Sequence, residues 1–135
     1  MDATERIVEE FNRLFSLGRL GVAALPFADK VVYYVVATRC EIDINGFSSI
    51  YEQGLNSHEL ALLVDGLNKL DEMDLARQFA SGLQLLQSEG FYTHMNWDQV
   101  PAAVKVEIGV IGERVGDRLW SLDEKLASLL NGKTD

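Results

Sequence analysis

Residues 30–38 read KVVYYVVAT, and few stretches constrain a fold so tightly. Valine and tyrosine favour strands. A strand, however, needs a neighbour to receive its backbone hydrogen bonds. No second segment of this chain shows the alternation of apolar and polar residues that would supply one. Pro26 and Asp29 stand just ahead and suit the start of a helix. A helix that is apolar on nearly every side belongs at the centre of a helical protein. The sequence therefore predicts a buried central helix over residues 26–40, with the other elements arranged around it.

Those other elements announce themselves through caps and periodicity. Asp2 and Glu5 have the spacing of a capping box, and Ile7, Phe11, Leu14 and Phe15 follow on one helical face. Asn56 and Glu59 repeat the spacing, with Leu55 and Leu60 at the positions of a hydrophobic staple. Leu60, Leu63, Leu67 and Leu70 make the buried stripe, while Asp65, Asn68 and Lys69 point away. Asp71 with Asp74 predicts a further start, followed by Leu75, Phe79, Leu83 and Leu86. Two helices joined through Leu70 with almost no loop must turn sharply, as in an αα-hairpin. Pro101 opens a helix carrying Val104, Ile108, Ile111, Val115 and Leu119. Ser121 with Glu124 predicts the cap of a last helix, packed through Leu122, Leu126, Leu129 and Leu130 and ended by Gly132. The expectation is an all-α fold, a single-domain bundle of about six to seven helices around the central one. It covers residues 1–135, a length that suits one domain. Gly109, Gly112 and Gly116 add a smooth stripe at i, i+3 and i+7, suited to close contact with another helix or with a second copy in a homodimer. Nearby charges exclude a membrane version of that motif.

The net charge is −9, from 21 acids against 12 bases. Residues 41–75 hold eight of the acids and Lys69 as their sole base, a local balance of −7. Direct binding to nucleic acid or to an anionic membrane requires clustered Lys and Arg and is excluded on this count. A protein partner with a basic surface is compatible with it. No apolar run approaches the roughly 20 residues of a membrane span. The opening MDATERIVEE has acids and no apolar core, unlike a signal peptide. A single cysteine, Cys40, excludes an internal disulfide and suits a reducing cytosol, so a cytoplasmic location is expected.

Motifs of catalysis and metal binding fail on inspection. Asp43 and Asn45 occupy positions 1 and 3 of an EF-hand register, but Phe47, Ser48 and Gly54 then stand at positions 5, 6 and 12, where an oxygen ligand, a glycine and a glutamate are needed. His58-Glu59 opens like a zincin motif, yet Leu62 replaces the second histidine, so His58 reads as a surface residue of a first helical turn. His94, in FYTHMNWD, has no neighbour at ligand spacing and reads as a packed or surface histidine. Cys40 at the end of a buried helix reads as an inert thiol. No nucleophile elbow, phosphate loop or dinucleotide fingerprint is present. No catalytic residue, metal or cofactor is expected. The remaining enzymatic reading rests on Glu41 and Asp43, carboxylates that could exchange protons if buried together beside the Gly46 turn.

Glu41-Ile42-Asp43-Ile44-Asn45-Gly46-Phe47 runs into Ser48-Ser49-Ile50-Tyr51-Glu52-Gln53, and helices follow from Ser57 and Glu72. This resembles the family of small acidic all-helical bacterial proteins named after a DNA-mimic protein, otherwise a domain of unknown function. The family pattern is roughly Glu-x-x-Asn-Gly-Gly-Phe, then a short helix with an aromatic and a polar end. Glu41, Gly46, Phe47 and Tyr51 match it. Ile44 stands where the family has Asn, and Asn45 where it has the first Gly. The likeness spans residues 30–90 and loosens toward the ends. It implies an all-helical domain without enzymatic activity or cofactor, with Glu41, Asn45, Gly46, Phe47 and Tyr51 as a structural turn. For some members it also implies a homodimer whose carboxylates imitate phosphates on the DNA-binding face of a transcription regulator. Together with the charge count, the expectation is a non-enzymatic interaction protein. Its acidic face would comprise Asp43, Glu52, Glu59, Asp65, Glu72 and Asp74. An immunity-like or adaptor protein that binds a toxin or enzyme stays open beside it, as does an enzyme built on Glu41 and Asp43.

Overall fold

A computed structural model describes residues 2–92 and 95–132, so the reading of His94 lies outside the described residues. In chain order the helices are α1 (Ala3–Phe15), α2 (Gly18–Ala23), α3 (Phe27–Asn45), α4 (Ser57–Lys69), α5 (Met73–Ser88), α6 (Ala102–Val115) and α7 (Asp123–Asn131). A wide helical turn, Ile50–Gly54, joins α3 to α4, and tight turns at Trp97–Gln99 and Arg118–Ser121 flank α6. No strand occurs among the described residues, and the fold is all-α.

The valine- and tyrosine-rich segment is a helix, and it is the hub. Helix α3 packs against α1, α2, α4, α7 and the Ile50–Gly54 turn. Val31, Val32, Tyr33, Tyr34 and Val35 are consecutive and all buried. Side chains leaving the helix in every direction find cover, and that burial outweighs their strand preference. The helix does not stop at residue 40 as expected but continues to Asn45. Nothing between Cys40 and Asn45 breaks it. Gly46 does, with φ +89°, and its N–H returns to the Ile42 carbonyl at 2.9 Å. Cys40 is consequently not a buried terminal residue; it sits on an exposed side within the helix.

Two of the four predicted caps form. The Asp2 carboxylate accepts from the Glu5 N–H at 2.8 Å. Asn56 and Glu59 cap reciprocally, Glu59 N–H to Asn56 Oδ1 at 2.8 Å and Asn56 N–H to Glu59 Oε1 at 3.0 Å. The other two serve different ends. Asp71 takes φ +59° and closes α4: its N–H bonds the Asn68 carbonyl, and the Glu72 N–H bonds the Leu67 carbonyl at 2.9 Å. That pair of bonds is a Schellman motif with an aspartate in the left-handed position. Helix α5 then starts at Met73 without a side-chain cap. Ser121 donates to the Arg118 carbonyl at 2.7 Å and so finishes the turn before α7 rather than capping α7.

The expected apolar faces are buried: Leu60, Leu63 and Leu67 on α4, Leu75, Phe79 and Leu86 on α5, Val104, Ile108, Ile111 and Val115 on α6. Leu119 is buried too, although Gly116 ends α6 first and Leu119 reaches the core from the following turn. Within one chain the three glycines do not meet another helix as one stripe among the described residues. Only Gly112 faces a neighbour closely, the Phe47 ring, while Gly109 faces open space.

Candidate functional site

The turn after α3 is built around Glu41. Its carboxylate accepts from the Asn45 amide at 3.2 Å and from the buried Ser49 hydroxyl. Gly54 rests against the Glu41 side chain, where an added Cβ would lie 3.1 Å from Cγ. Glu41 therefore straps the Ile50–Gly54 turn to the helix. Asp43, two residues on, is exposed, because positions i and i+2 of a helix do not face one another. The two carboxylates are not brought together as a buried pair. Phe47 and Tyr51 turn inward, Phe47 half-buried and Tyr51 fully so. Tyr51 is fully buried, donates to the Phe79 carbonyl at 3.0 Å, and burial pushes its hydroxyl's ionisation up.

The six acids expected on one face divide. Glu59 is buried in the α4 capping box. Glu72 is buried and accepts Arg118 in two bonds, from Nε at 2.7 Å and Nη2 at 2.5 Å, together with Lys125. Hydrogen bonding from Arg118, opposed by burial and reinforced by Lys125, holds its carboxyl down at about 2. Asp43, Asp65 and Asp74 are exposed and Glu52 is half-buried. Asp74 pairs with Arg77 at 3.2 Å, and Glu52 accepts from the Ser48 hydroxyl at 3.1 Å.

The Glu72 pairing has a pH signature. A carboxyl whose folded value lies below its unfolded one stabilises above the unfolded value and loses that contribution as pH falls toward the folded one. With half-exposed cationic partners the contribution should be about 1–3 kcal/mol at neutral pH, lost between about pH 5 and pH 2. Urea denaturation at pH 7 and pH 3 checks it, since Glu72→Gln should remove most of that difference.

A second site was not foreseen. Between α1, α3 and the Ile50–Gly54 turn lies a cavity of about 270 Å³. Phe11 and Phe15 of α1, Tyr33 and Tyr34 of α3, and Ile50 and Leu55 wall it. Their rings adjoin: Phe11 stacks on Tyr33 at 5.7 Å, Phe15 lies 5.8 Å from Phe11, and Tyr34 meets Tyr33 edge-on at 5.2 Å. Thr38 lines the same space, and its buried hydroxyl has no hydrogen-bond partner among the described residues. Cys40 and Ile44 stand there as well, Ile44 being three-quarters exposed (76%). The sequence carried one signal for it, Phe11 and Phe15 one turn apart, which reads equally as core packing.

Among the described residues no three His, Cys, Asp or Glu side chains are placed to share a metal ion. Nor is any helix there long and apolar enough to cross a membrane. Comparison with protein-family models, curated proteins and solved structures finds nothing that matches this chain.

Proposed function

We propose that this chain is a non-enzymatic interaction protein that meets a basic protein surface through outward carboxylates. Asp43, Asp65 and Asp74, flanked by Glu52, are the residues that would carry the contact. The supporting observation is how the charges are spent. Arg13, Arg39, Arg77, Arg118 and Lys125 all bond carboxylates of the chain itself. Within residues 41–75 those bonds take up Glu72 and Asp74, whereas Asp43 and Asp65 stay exposed with no cationic partner among the described residues, and Lys69 is the one base of the segment. Such a surface attracts a cationic partner from a distance and pairs its Arg and Lys on contact, and both effects weaken with salt.

The resemblance of the Glu41–Phe47 turn sharpens the reading to a DNA mimic, in which carboxylates take the place of phosphates on a transcription regulator. Capture on the immobilised chain at low salt should recover a basic, DNA-binding protein. A DNA duplex should displace it, and raised salt should release it. Neutralising Asp43→Asn, Asp65→Asn and Asp74→Asn together should abolish capture. A partner insensitive both to salt and to the triple variant would overturn the proposal. A salt-sensitive toxin or enzyme that binds no DNA would replace the mimic with an adaptor or immunity-like role.

A further inference from the structure

We propose that the cavity between α1, α3 and the Ile50–Gly54 turn binds a small, flat, uncharged and mainly apolar molecule whose one hydrogen-bonding group meets Thr38. The site is separate from the acidic exterior and does not rest on it. Three observations carry the assignment. The first is size and lining. At about 270 Å³ the cavity exceeds the roughly 150 Å³ that accommodates a benzene ring and approaches the lower range of small-molecule sites. Phe11, Phe15, Tyr33 and Tyr34 present a continuous aromatic wall against which a planar ring can lie.

The second is charge. Among the described residues no Lys, Arg or His lines the cavity, and Glu41 is the one acidic residue there. An anionic ligand would face that carboxylate without a counter-charge. A cationic one would give up its hydration among apolar walls for a single carboxylate, one oxygen of which already accepts from Asn45 and Ser49. A neutral molecule avoids both costs. The third is Thr38. It is 1% exposed, it lines the cavity, and its hydroxyl has no partner among the described residues. Buried hydroxyls in folded proteins are almost always hydrogen-bonded, so an orphan beside an apolar cavity marks where a ligand's polar atom belongs.

The test uses the full chain with 2-naphthol, naphthalene and 2-naphthoate as probes. Binding is followed by amide chemical shifts and by the rate at which iodoacetamide alkylates Cys40, the single thiol, at the same cavity. 2-Naphthol should bind about five- to tenfold more tightly than naphthalene, the worth of one hydrogen bond. It should slow alkylation, and 2-naphthoate should be the weakest. Thr38→Val should erase the preference for 2-naphthol while naphthalene still binds. Ala37→Phe, which fills the space, should remove both. Equal binding of 2-naphthol and naphthalene to the unaltered chain would overturn the proposal. So would retention of the preference in Thr38→Val. Protection of Cys40 that follows protein concentration and ignores the probes would overturn it too, by assigning the face to a second copy of the chain. Should either variant lose its helical circular dichroism, the three-probe ranking and Cys40 protection on the unaltered chain decide the matter.

Discussion

Phe47, Tyr51 and Phe79 form one aromatic cluster beyond the C-terminal end of α3, with Phe47 5.7 Å from Tyr51 and 5.6 Å from Phe79. Phe11, Phe15, Tyr33 and Tyr34 form another along the flank of the same helix, at similar ring separations. The first is closed and the second leaves a cavity. The difference lies in what faces the rings. A Cβ added at Gly82 would stand 2.3 Å from the Tyr51 Oη, and one at Gly112 would stand 2.9 Å from the Phe47 Cγ. Helices α5 and α6 bring bare backbone up to the rings, so no gap remains. The second cluster borders Ala37, Thr38 and Glu41, short or polar side chains that do not fill the space, and the glycine lining it, Gly54, lies against Glu41 rather than against a ring. Close packing of large rings needs a surface shaped to receive them, and only one of these clusters has it.

The sharpest way to break this contrast is Gly82→Ala. Tyr51 is fully buried and tied to the Phe79 carbonyl, so its ring has nowhere to go. The change should destabilise by about 3 kcal/mol, after the helix-propensity gain of about 1 kcal/mol is offset. Urea denaturation measures it, and a neutral result would mean that the glycine is not what closes the cluster. Gly112→Ala is milder because Phe47 is half-buried and can swing aside. A loss of about 1–2 kcal/mol is expected.

These glycines show why part of the molecule is legible in its sequence and part is not. Caps such as Asn56 with Glu59 and stripes such as Leu60, Leu63 and Leu67 depend on neighbours in sequence, and they form as expected. The central helix was readable because no strand partner existed. Asp71 with Asp74 and Ser121 with Glu124 have the same cap spacing but do not cap. In each case the first residue is needed to end the preceding turn, and spacing alone does not reveal which helix a junction residue serves. Gly66 and Gly82 look like weak points of α4 and α5 until Val31 and Tyr51 arrive from distant positions to lie against them. The acidic face suffers the same blindness: Glu72 lies 46 residues from Arg118 in sequence, and only folding brings the pair together. The cavity is the least legible feature, since a gap is a property of several elements at once.

On the open side, Thr38→Val replaces an unpartnered buried hydroxyl with a methyl of similar size. It should stabilise the ligand-free chain by about 1 kcal/mol, the reverse of what a well-bonded threonine would show. Loss of stability would mean that the hydroxyl is bonded in solution, and Thr38 would then not be the cavity's open hydrogen-bonding position.

The smallest effect isolates the contact itself. Gly109 lies three residues before Gly112 on α6, and an added Cβ there meets no atom within 4 Å. Gly109→Ala should therefore show propensity alone, a gain of about 0.5–1 kcal/mol. With the propensity gain taken as equal at both positions, the difference between Gly109→Ala and Gly112→Ala measures the Phe47 contact. Sedimentation of the two variants adds a further reading. If Gly109 belongs to a seam between two copies of the chain, its alanine variant should lose stability only at protein concentrations where the unaltered chain dimerises. A gain at every concentration would leave Gly109 as solvent-facing backbone, and glycine on α6 would then matter only where a ring lies over it.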